Sequence, residues 1–196
     1  MSTYQAMTIV HWIIPALWVV FLAYWAIAAI GVKRNVVATP WWKYTALRLA
    51  IAAFVVVAIF VPPARRALRL AQAHVAGGPL MGAIGALLVA LGIGLAIFAR
   101  VYLGRNWGTP MSRKENPDLV TGGPYAFVRH PIYSGIILAM LGTTIGLTVV
   151  WLLPLILFVP YFIYCARREE EFMCQQFGET YRAYMRRTKM LVPFLL

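Results

Sequence analysis

The chain has 196 residues, of which 62% are hydrophobic and only 12% are charged, and its formal net charge is +12. Soluble chains are roughly 45–50% apolar and about 25% charged, so this composition excludes an ordinary soluble domain and indicates an integral membrane protein. We expect no nucleic-acid partner. In a chain with several apolar runs, an excess of Lys and Arg residues marks the cytoplasmic side of the membrane protein.

Three apolar runs lie in the N-terminal half, each long enough to cross a bilayer, which takes about 20 helical residues. They cover about residues 8–31, 44–61 and 79–103. The second run is closed by two prolines, and the third has no charge before Arg100. These runs predict three N-terminal transmembrane helices, assigned to residues 1–99.

The last apolar region runs from Pro131 to Cys165 without a charged residue. It is too long for one straight span. Gly142, Gly146 and Pro154 therefore predict a hairpin of two helices. The predicted fold is all-α: residues 1–196 form one transmembrane bundle of about five spans, followed by a C-terminal amphipathic cytoplasmic helix.

The distribution of the basic residues tests whether the chain crosses the membrane five times. With five spans, 15 of the 18 Lys and Arg residues fall on one side, and cytoplasmic loops carry the excess of such residues. We therefore expect a multi-pass cell-membrane protein with its N-terminus outside and its C-terminus in the cytoplasm. All six acidic residues lie on the same side, so chemistry that needs carboxylates is expected there.

Small residues indicate where helices approach closely. The third predicted span carries one row at i, i+4 spacing: Gly82, Ala86, Ala90 and Gly94. The fourth carries a similar row: Gly135, Ala139 and Thr143. We interpret both rows as packing surfaces. The two cysteines, Cys165 and Cys174, have no metal-binding or disulfide spacing, and we expect no metal.

The segment TGGPYAFVRHPIYSG, residues 121–135, is polar and rigid although it stands between apolar runs. Its paired glycines permit backbone conformations that other residues avoid and a close approach to a ligand. Pro131 suits the first position of a helix, which places Arg129 and His130 at the mouth of the bundle. The free amides of that helix N-terminus favour an anionic group.

A second polar cluster, RREEEF at residues 167–172, directly follows the last span. One interpretation is an interfacial amphipathic helix with solvated charges. Residues on one stripe support it: Met173, Phe177, Tyr181 and Tyr184. The other interpretation is a functional site, because the two polar clusters are predicted to share one face of the membrane.

Four motifs in order resemble the isoprenylcysteine carboxyl methyltransferase family and its relatives, the phospholipid methyltransferases. They are LGRNWG (103–108), LVTGGPYAFVRHPIYSG (119–135), RREEEF (167–172) and FGETYRAYMRR (177–187). The resemblance covers about residues 100–194, and it identifies residues 100–196 as a methyltransferase-like core that binds a cofactor. It implies an integral membrane methyltransferase that uses S-adenosylmethionine.

The resemblance also implies which residues hold the cofactor. They are Gly123, Pro124, Tyr125, Arg129, His130, Pro131 and Tyr133 of the loop, with Glu169 and Glu170 of the last helix. Glu171 is an additional carboxylate, and counting back from Gly178 favours Glu169 and Glu170 as the pair. Replacing Glu170 by glutamine is expected to weaken cofactor binding with little effect on folding.

The chemistry of S-adenosylmethionine agrees with this assignment. Glutamates accept hydrogen bonds from its ammonium group or its ribose hydroxyls. Arg129 or the helix N-terminus can hold its carboxylate, and aromatic faces can meet its sulfonium group. The candidate aromatic residues are Tyr125, Tyr133 and Trp107.

The acceptor is expected to be a lipophilic small molecule or a prenylated group reached from the lipid bilayer. A carboxylate acceptor needs no base but needs a cation, for which the candidate catalytic residues are Arg100, Arg167 and Arg168. An amine acceptor, as in the phospholipid enzymes, needs a base such as Glu170 or His130. LGRNWG before the RHPIY segment resembles the isoprenylcysteine branch of the family more closely, and this resemblance favours a carboxylate acceptor. Two further alternatives are a sterol-reductase-like enzyme that binds NADPH and a membrane protein without catalytic activity.

Overall fold

The computed structural model describes residues 3–30, 35–37, 66, 78–107, 113–114 and 118–193. The described α-helices are α1 (Thr3–Ala28), α2 (Gly78–Leu103), α3 (Pro131–Gly146), α4 (Leu152–Phe177) and α5 (Glu179–Arg187). One short antiparallel pair joins β1 (Asn35–Val37) to β2 (Arg113–Lys114). The predicted second span, residues 44–61, lies outside the described residues.

Three stretches of described helix are long and apolar enough to cross a membrane: Ile9–Ala28, Gly78–Asn106 and Val149–Phe177. The helix α3 is apolar but shorter, at 16 residues. The all-α bundle is therefore confirmed, and so is the hairpin at its end. The chain leaves α3 at Gly146 and enters α4 at Leu152 through a turn in which the Thr148 side chain accepts a hydrogen bond from the Val150 amide at 3.4 Å.

The helices α1 and α2 run parallel. Near their N-terminal ends, Val10 of α1 lies against Gly82 of α2. At their C-terminal ends, the Ala28 carbonyl accepts a hydrogen bond from the Arg100 guanidinium. A count of five spans requires this parallel arrangement, because one predicted span lies between the two helices in the chain.

The helices α2 and α3 pack with their backbones in near contact. A Cβ atom built on Gly92 would lie 2.5 Å from the Ala139 amide nitrogen, and one on Gly85 would lie 2.3 Å from the Gly146 Cα. The predicted row on α3 takes part in this packing, since Gly135 and Ala139 face α2. The interface therefore depends on side chains no larger than a methyl group at the crossing points.

The row predicted on α2 is wrong as a single packing face. Gly82 contacts α1, whereas Ala90 and Gly94 are exposed. Each step of four residues advances about 40° beyond a full turn, so the row winds about 120° around the helix. The surface that contacts α3 follows mixed steps of three and four residues: Gly85, Val89, Gly92 and Ala96.

The helix α4 continues beyond the apolar region and carries the whole RREEEF cluster. It ends at Phe177, because the next residue, Gly178, has a positive φ of 57° that breaks the helix and starts α5 in a new direction. The amphipathic helix predicted at the C-terminus is therefore α5 alone. Its buried face carries Tyr181 and Tyr184, and Arg182 lies on its exposed face.

Candidate functional site

Four elements meet at one end of the bundle: the C-terminal end of α2, the N-terminal end of α3, the polar part of α4, and α5. The segment Gly123–Ala126 crosses this end as a single 3₁₀ turn, with Gly123 at a φ of +56°. A Cβ on Gly123 would lie 2.6 Å from the ring of Tyr102. The glycine thus makes room for an aromatic ring of α2, in addition to supplying the left-handed conformation that the turn needs.

Pro124 and Tyr125 of this turn are buried. The Tyr125 hydroxyl donates to the Ala99 carbonyl at 3.4 Å, and the Tyr125 carbonyl accepts from the Tyr184 hydroxyl at 2.5 Å. Burial raises the pKa of Tyr184 to about 12, so its hydroxyl remains a donor at neutral pH. The turn is therefore fixed to α2 on one side and to α5 on the other.

The centre of the site is a buried cluster of charged side chains from the loop and from α4. The Arg129 Nε donates to Glu170 Oε1 at 2.6 Å, and these side chains are only 9% and 8% exposed. His130 Nε2 lies 3.3 Å from the same oxygen, and His130 Nδ1 lies 3.5 Å from Glu169 Oε2. The Tyr133 hydroxyl donates to Glu169 Oε1 at 2.6 Å. We call these five residues the carboxylate cluster.

The structure separates the three consecutive glutamates. Glu169 and Glu170 face the loop, whereas Glu171 forms an exposed ion pair with Arg168 at 2.6 Å. Successive residues of a helix point about 100° apart, so three in a row cannot share one face. The geometry thus gives Glu169 and Glu170 as the pair that meets the loop.

The charge of the cluster depends on His130. Burial acts to lower the pKa of His130, but hydrogen bonds and charges from Glu169 and Glu170 outweigh it and the pKa is raised. Two carboxylates face one arginine, so a protonated His130 supplies the second positive charge. The cluster is then electrically balanced.

The raised pKa predicts how stability changes with pH. The stabilisation from protonated His130 should be complete below its unfolded pKa of about 6.5 and should be lost as the pH rises through the higher folded value. The free energy of unfolding of the wild type, measured in detergent from pH 6 to pH 9, should therefore fall relative to that of His130→Gln. A difference in the free energy of unfolding between the two proteins that does not change with pH would contradict a raised pKa of His130.

Aromatic rings continue from the cluster into the bundle. The rings of His130 and Tyr133 stack with centroids 5.7 Å apart and planes 11° apart. Tyr133 stacks in turn on Phe162 of α4, with centroids 5.0 Å apart. Pro131 is fully buried at the first position of α3. The site is therefore polar at the loop and aromatic between α3 and α4.

The segment after α5, residues 188–191, was not predicted as part of the site. We call it the C-terminal strap. Its four consecutive carbonyls all accept from the loop or from α3. Thr188 accepts from the Arg129 Nη1, Lys189 from the Arg129 amide at 2.8 Å, Met190 from the His130 amide at 3.0 Å, and Leu191 from the Ser134 hydroxyl at 2.5 Å. These acceptors are backbone atoms, so the residue types of the strap do not indicate that it binds the loop.

The three arginines predicted to bind the acceptor lie in different surroundings. Arg100 is buried, donates to the carbonyls of Ala28 and Gly104, and lies 4.6 Å from the centroid of the Trp107 ring. Arg168 is paired with Glu171, and Arg167 is exposed on α4. The described contacts of Arg100 and Arg168 are therefore to different groups. Trp107 lies against Arg100 and Trp25.

Comparisons with known proteins agree with the motifs. The chain is 33% identical to the protein-S-isoprenylcysteine O-methyltransferase of Schizosaccharomyces pombe over 109 residues, which are 54% of this chain and 46% of the relative. It is 35% identical over 110 residues to the cobalt-zinc-cadmium resistance protein CzcN of Cupriavidus metallidurans, covering 54% of this chain and 47% of that protein. The chain thus spans about half the length of the curated relatives it matches.

One solved structure shares the fold. The eukaryotic intramembrane Ras methyltransferase ICMT (isoprenylcysteine carboxyl methyltransferase) superposes with a TM-score of 0.52 at 25% sequence identity. The match covers 81% of this chain and 55% of that one. The resemblance stated from the motifs is confirmed. The phospholipid methyltransferase family model matches residues 80–180, just over half of the 196 residues, and the chain therefore belongs to the phospholipid methyltransferase family.

Proposed function

We propose that the chain is an integral membrane methyltransferase that transfers a methyl group from S-adenosylmethionine to a lipophilic acceptor. The observation that carries the proposal is the carboxylate cluster, which joins the RHPIY loop to Glu169 and Glu170 at one end of the membrane bundle. The methyltransferase names of one sequence relative and of the structural match support the same activity.

The residues present suit this cofactor. Buried Glu170 and partly exposed Glu169 offer carboxylate oxygens for an ammonium group or for ribose hydroxyls. The neutral rings of Tyr133 and Phe162 lie beside them, and aromatic rings attract a sulfonium cation by roughly 0.5–2 kcal/mol. We assign cofactor binding to these glutamates, to His130 and Tyr133, and to the buried turn and helix start that enclose them: Gly123, Pro124, Tyr125 and Pro131. Bound S-adenosylmethionine supplies an electrophilic methyl group.

Catalysis then rests mainly on alignment, because methyl transfer is a displacement at carbon that needs the nucleophile, the methyl group and the leaving sulfur in line. The loop and α4 hold the donor side rigidly through buried hydrogen bonds. The acceptor side faces the aromatic part of the site. Lipophilic acceptors reach that part from the bilayer in the proposed enzyme.

A carboxylate is the acceptor that the contacts favour. Both candidate bases for an amine acceptor, Glu170 and His130, are already hydrogen-bonded within the cluster. A carboxylate nucleophile needs no base. Arg100, the buried one of the three candidate arginines, donates to the Ala28 and Gly104 carbonyls, so the cation that would bind this carboxylate stays a prediction. The family description keeps the alternative of an amine acceptor, a phospholipid such as phosphatidylethanolamine.

Transfer of a radiolabelled methyl group tests the activity. The purified protein in liposomes is given labelled S-adenosylmethionine with a farnesylated cysteine derivative or with phosphatidylethanolamine. We expect base-labile label on the farnesylated cysteine, as a methyl ester. Stable label on the phospholipid would instead establish the amine alternative. Cofactor binding without transfer to any acceptor would support the interpretation of a membrane protein without catalytic activity.

The apolar helices make the chain a multi-pass membrane protein, and we propose that its N-terminus lies outside and its C-terminus in the cytoplasm. The excess of basic residues on the predicted cytoplasmic side supports this orientation. A C-terminal fusion to green fluorescent protein in a bacterial host should fluoresce, and the matching fusion to alkaline phosphatase should be inactive. The reverse pattern would refute the orientation.

A further inference from the structure

Arg129 connects three separate parts of the chain. Its Nε donates to Glu170 on α4 at 2.6 Å. Its Nη1 donates to the Met185 carbonyl of α5 at 3.2 Å and also to the Thr188 carbonyl of the C-terminal strap. The side chain is 9% exposed. The guanidinium therefore lies between Glu170 on one side and α5 and the C-terminal strap on the other.

These contacts occupy the donors that recognition of a carboxylate would need. A guanidinium binds a carboxylate through two parallel N–H groups on one edge. One of its two-nitrogen edges contains Nε and the other contains Nη1, and both nitrogens are engaged within the protein. Neither edge is left whole for the carboxylate of a cofactor.

The C-terminal strap is also hydrogen-bonded to the backbone of the loop that carries Arg129. The amides of Arg129 and His130 donate to the carbonyls of Lys189 and Met190, so loop and strap lie side by side, joined by an isolated parallel bridge between Val128 and Lys189. The guanidinium then joins that pair to Glu170. A displacement of the strap would be transmitted through Arg129 to the Glu170 carboxylate.

We propose that Arg129 is a positioning residue: it fixes the Glu170 carboxylate against the C-terminal strap and does not itself hold the cofactor. This inference rests on the proposed function, in which Glu170 binds the cofactor. It makes residues 188–191 part of the binding site although they lie beyond the family match at residues 80–180.

A pair of ligands separates positioning from direct binding. Calorimetry compares S-adenosylhomocysteine with its analogue that lacks the amino-acid carboxylate, on the wild type and on Arg129→Lys. A positioning role predicts that the substitution weakens both ligands by the same factor, about tenfold, the effect of losing one hydrogen bond to a charged group. Loss of affinity for the carboxylate-containing ligand alone would overturn the inference. A wild type that binds neither ligand would overturn the proposed function itself.

A second measurement needs no ligand. In Arg129→Lys, the backbone amides at positions 129 and 130 should exchange with deuterium faster than in the wild type, because the strap is less firmly held. Ser134→Ala removes the hydroxyl bond to the Leu191 carbonyl without changing a charge and should act in the same direction. The control Arg186→Lys alters an exposed pair with Glu179 and should change neither exchange nor affinity. Unchanged exchange in both test variants would contradict a positioning role.

Discussion

Replacing Glu170 by alanine should lower the free energy of unfolding by about 3–5 kcal/mol, the cost of leaving one charge of a buried ion pair without its partner. The Glu170 carboxylate bonds Arg129 at 2.6 Å and lies 3.3 Å from His130 Nε2. Its removal leaves the Arg129 charge buried beside a cavity. Chemical unfolding in mixed micelles measures the difference, and S-adenosylhomocysteine binding should be lost in the same variant.

Glu171→Ala is the matched control, since it removes the same group one residue later. Glu171 pairs with Arg168 on the surface, where both side chains are about half exposed, and exposed pairs contribute roughly 0–1 kcal/mol. The two variants should therefore differ by several kcal/mol. Equal effects would show that Glu170 is not the buried partner of Arg129. Even Glu170→Gln should destabilise the protein, contrary to the expectation from sequence, because the amide keeps the shape but not the charge.

Replacing Gly92 by alanine should destabilise the bundle by about 1–3 kcal/mol, the usual cost of overpacking. The added methyl group would lie 2.5 Å from both the Ala139 amide nitrogen and the Gly135 carbonyl oxygen. These are backbone atoms of α3 and cannot move aside as a side chain can. The helices must separate, which weakens the contacts that bring α3 and its loop to the site.

Gly94→Ala provides the comparison on the same helix. A Cβ on Gly94 would meet no atom within 4 Å, so this variant should be neutral or stabilising by up to about 1 kcal/mol through the better helix propensity of alanine. Unfolding of both variants under identical detergent conditions gives the difference. Similar stability of the two proteins would contradict the close α2–α3 packing.

The spans and much of the cluster could be predicted from sequence because their signals are local. Apolar run length gives α1 and α2, and the charge-free region from Pro131 contains the breaks of a hairpin. The proline at the first position of α3 also places His130 at the end of the bundle. The resemblance, with the register counted back from Gly178, gave Glu169 and Glu170 as the pair, and these two meet the loop.

The remaining features depend on contacts between distant parts of the chain. Arg129 is a charged residue in a motif, and only the structure shows that its donors are taken by α4, α5 and the strap. The strap acts through backbone carbonyls, for which sequence carries no residue signal. The α2 packing face was misplaced because a strict four-residue row winds around the helix, and only the neighbouring helix selects the correct one.

Calorimetric titration of the detergent-purified protein with S-adenosylhomocysteine, and in parallel with NADPH, distinguishes a methyltransferase site from a reductase site. We expect saturable binding of S-adenosylhomocysteine, lost in Glu170→Ala and retained in Glu171→Ala, with no binding of NADPH. Binding of NADPH alone would contradict the assignment of the carboxylate cluster to S-adenosylmethionine and would favour the reductase alternative.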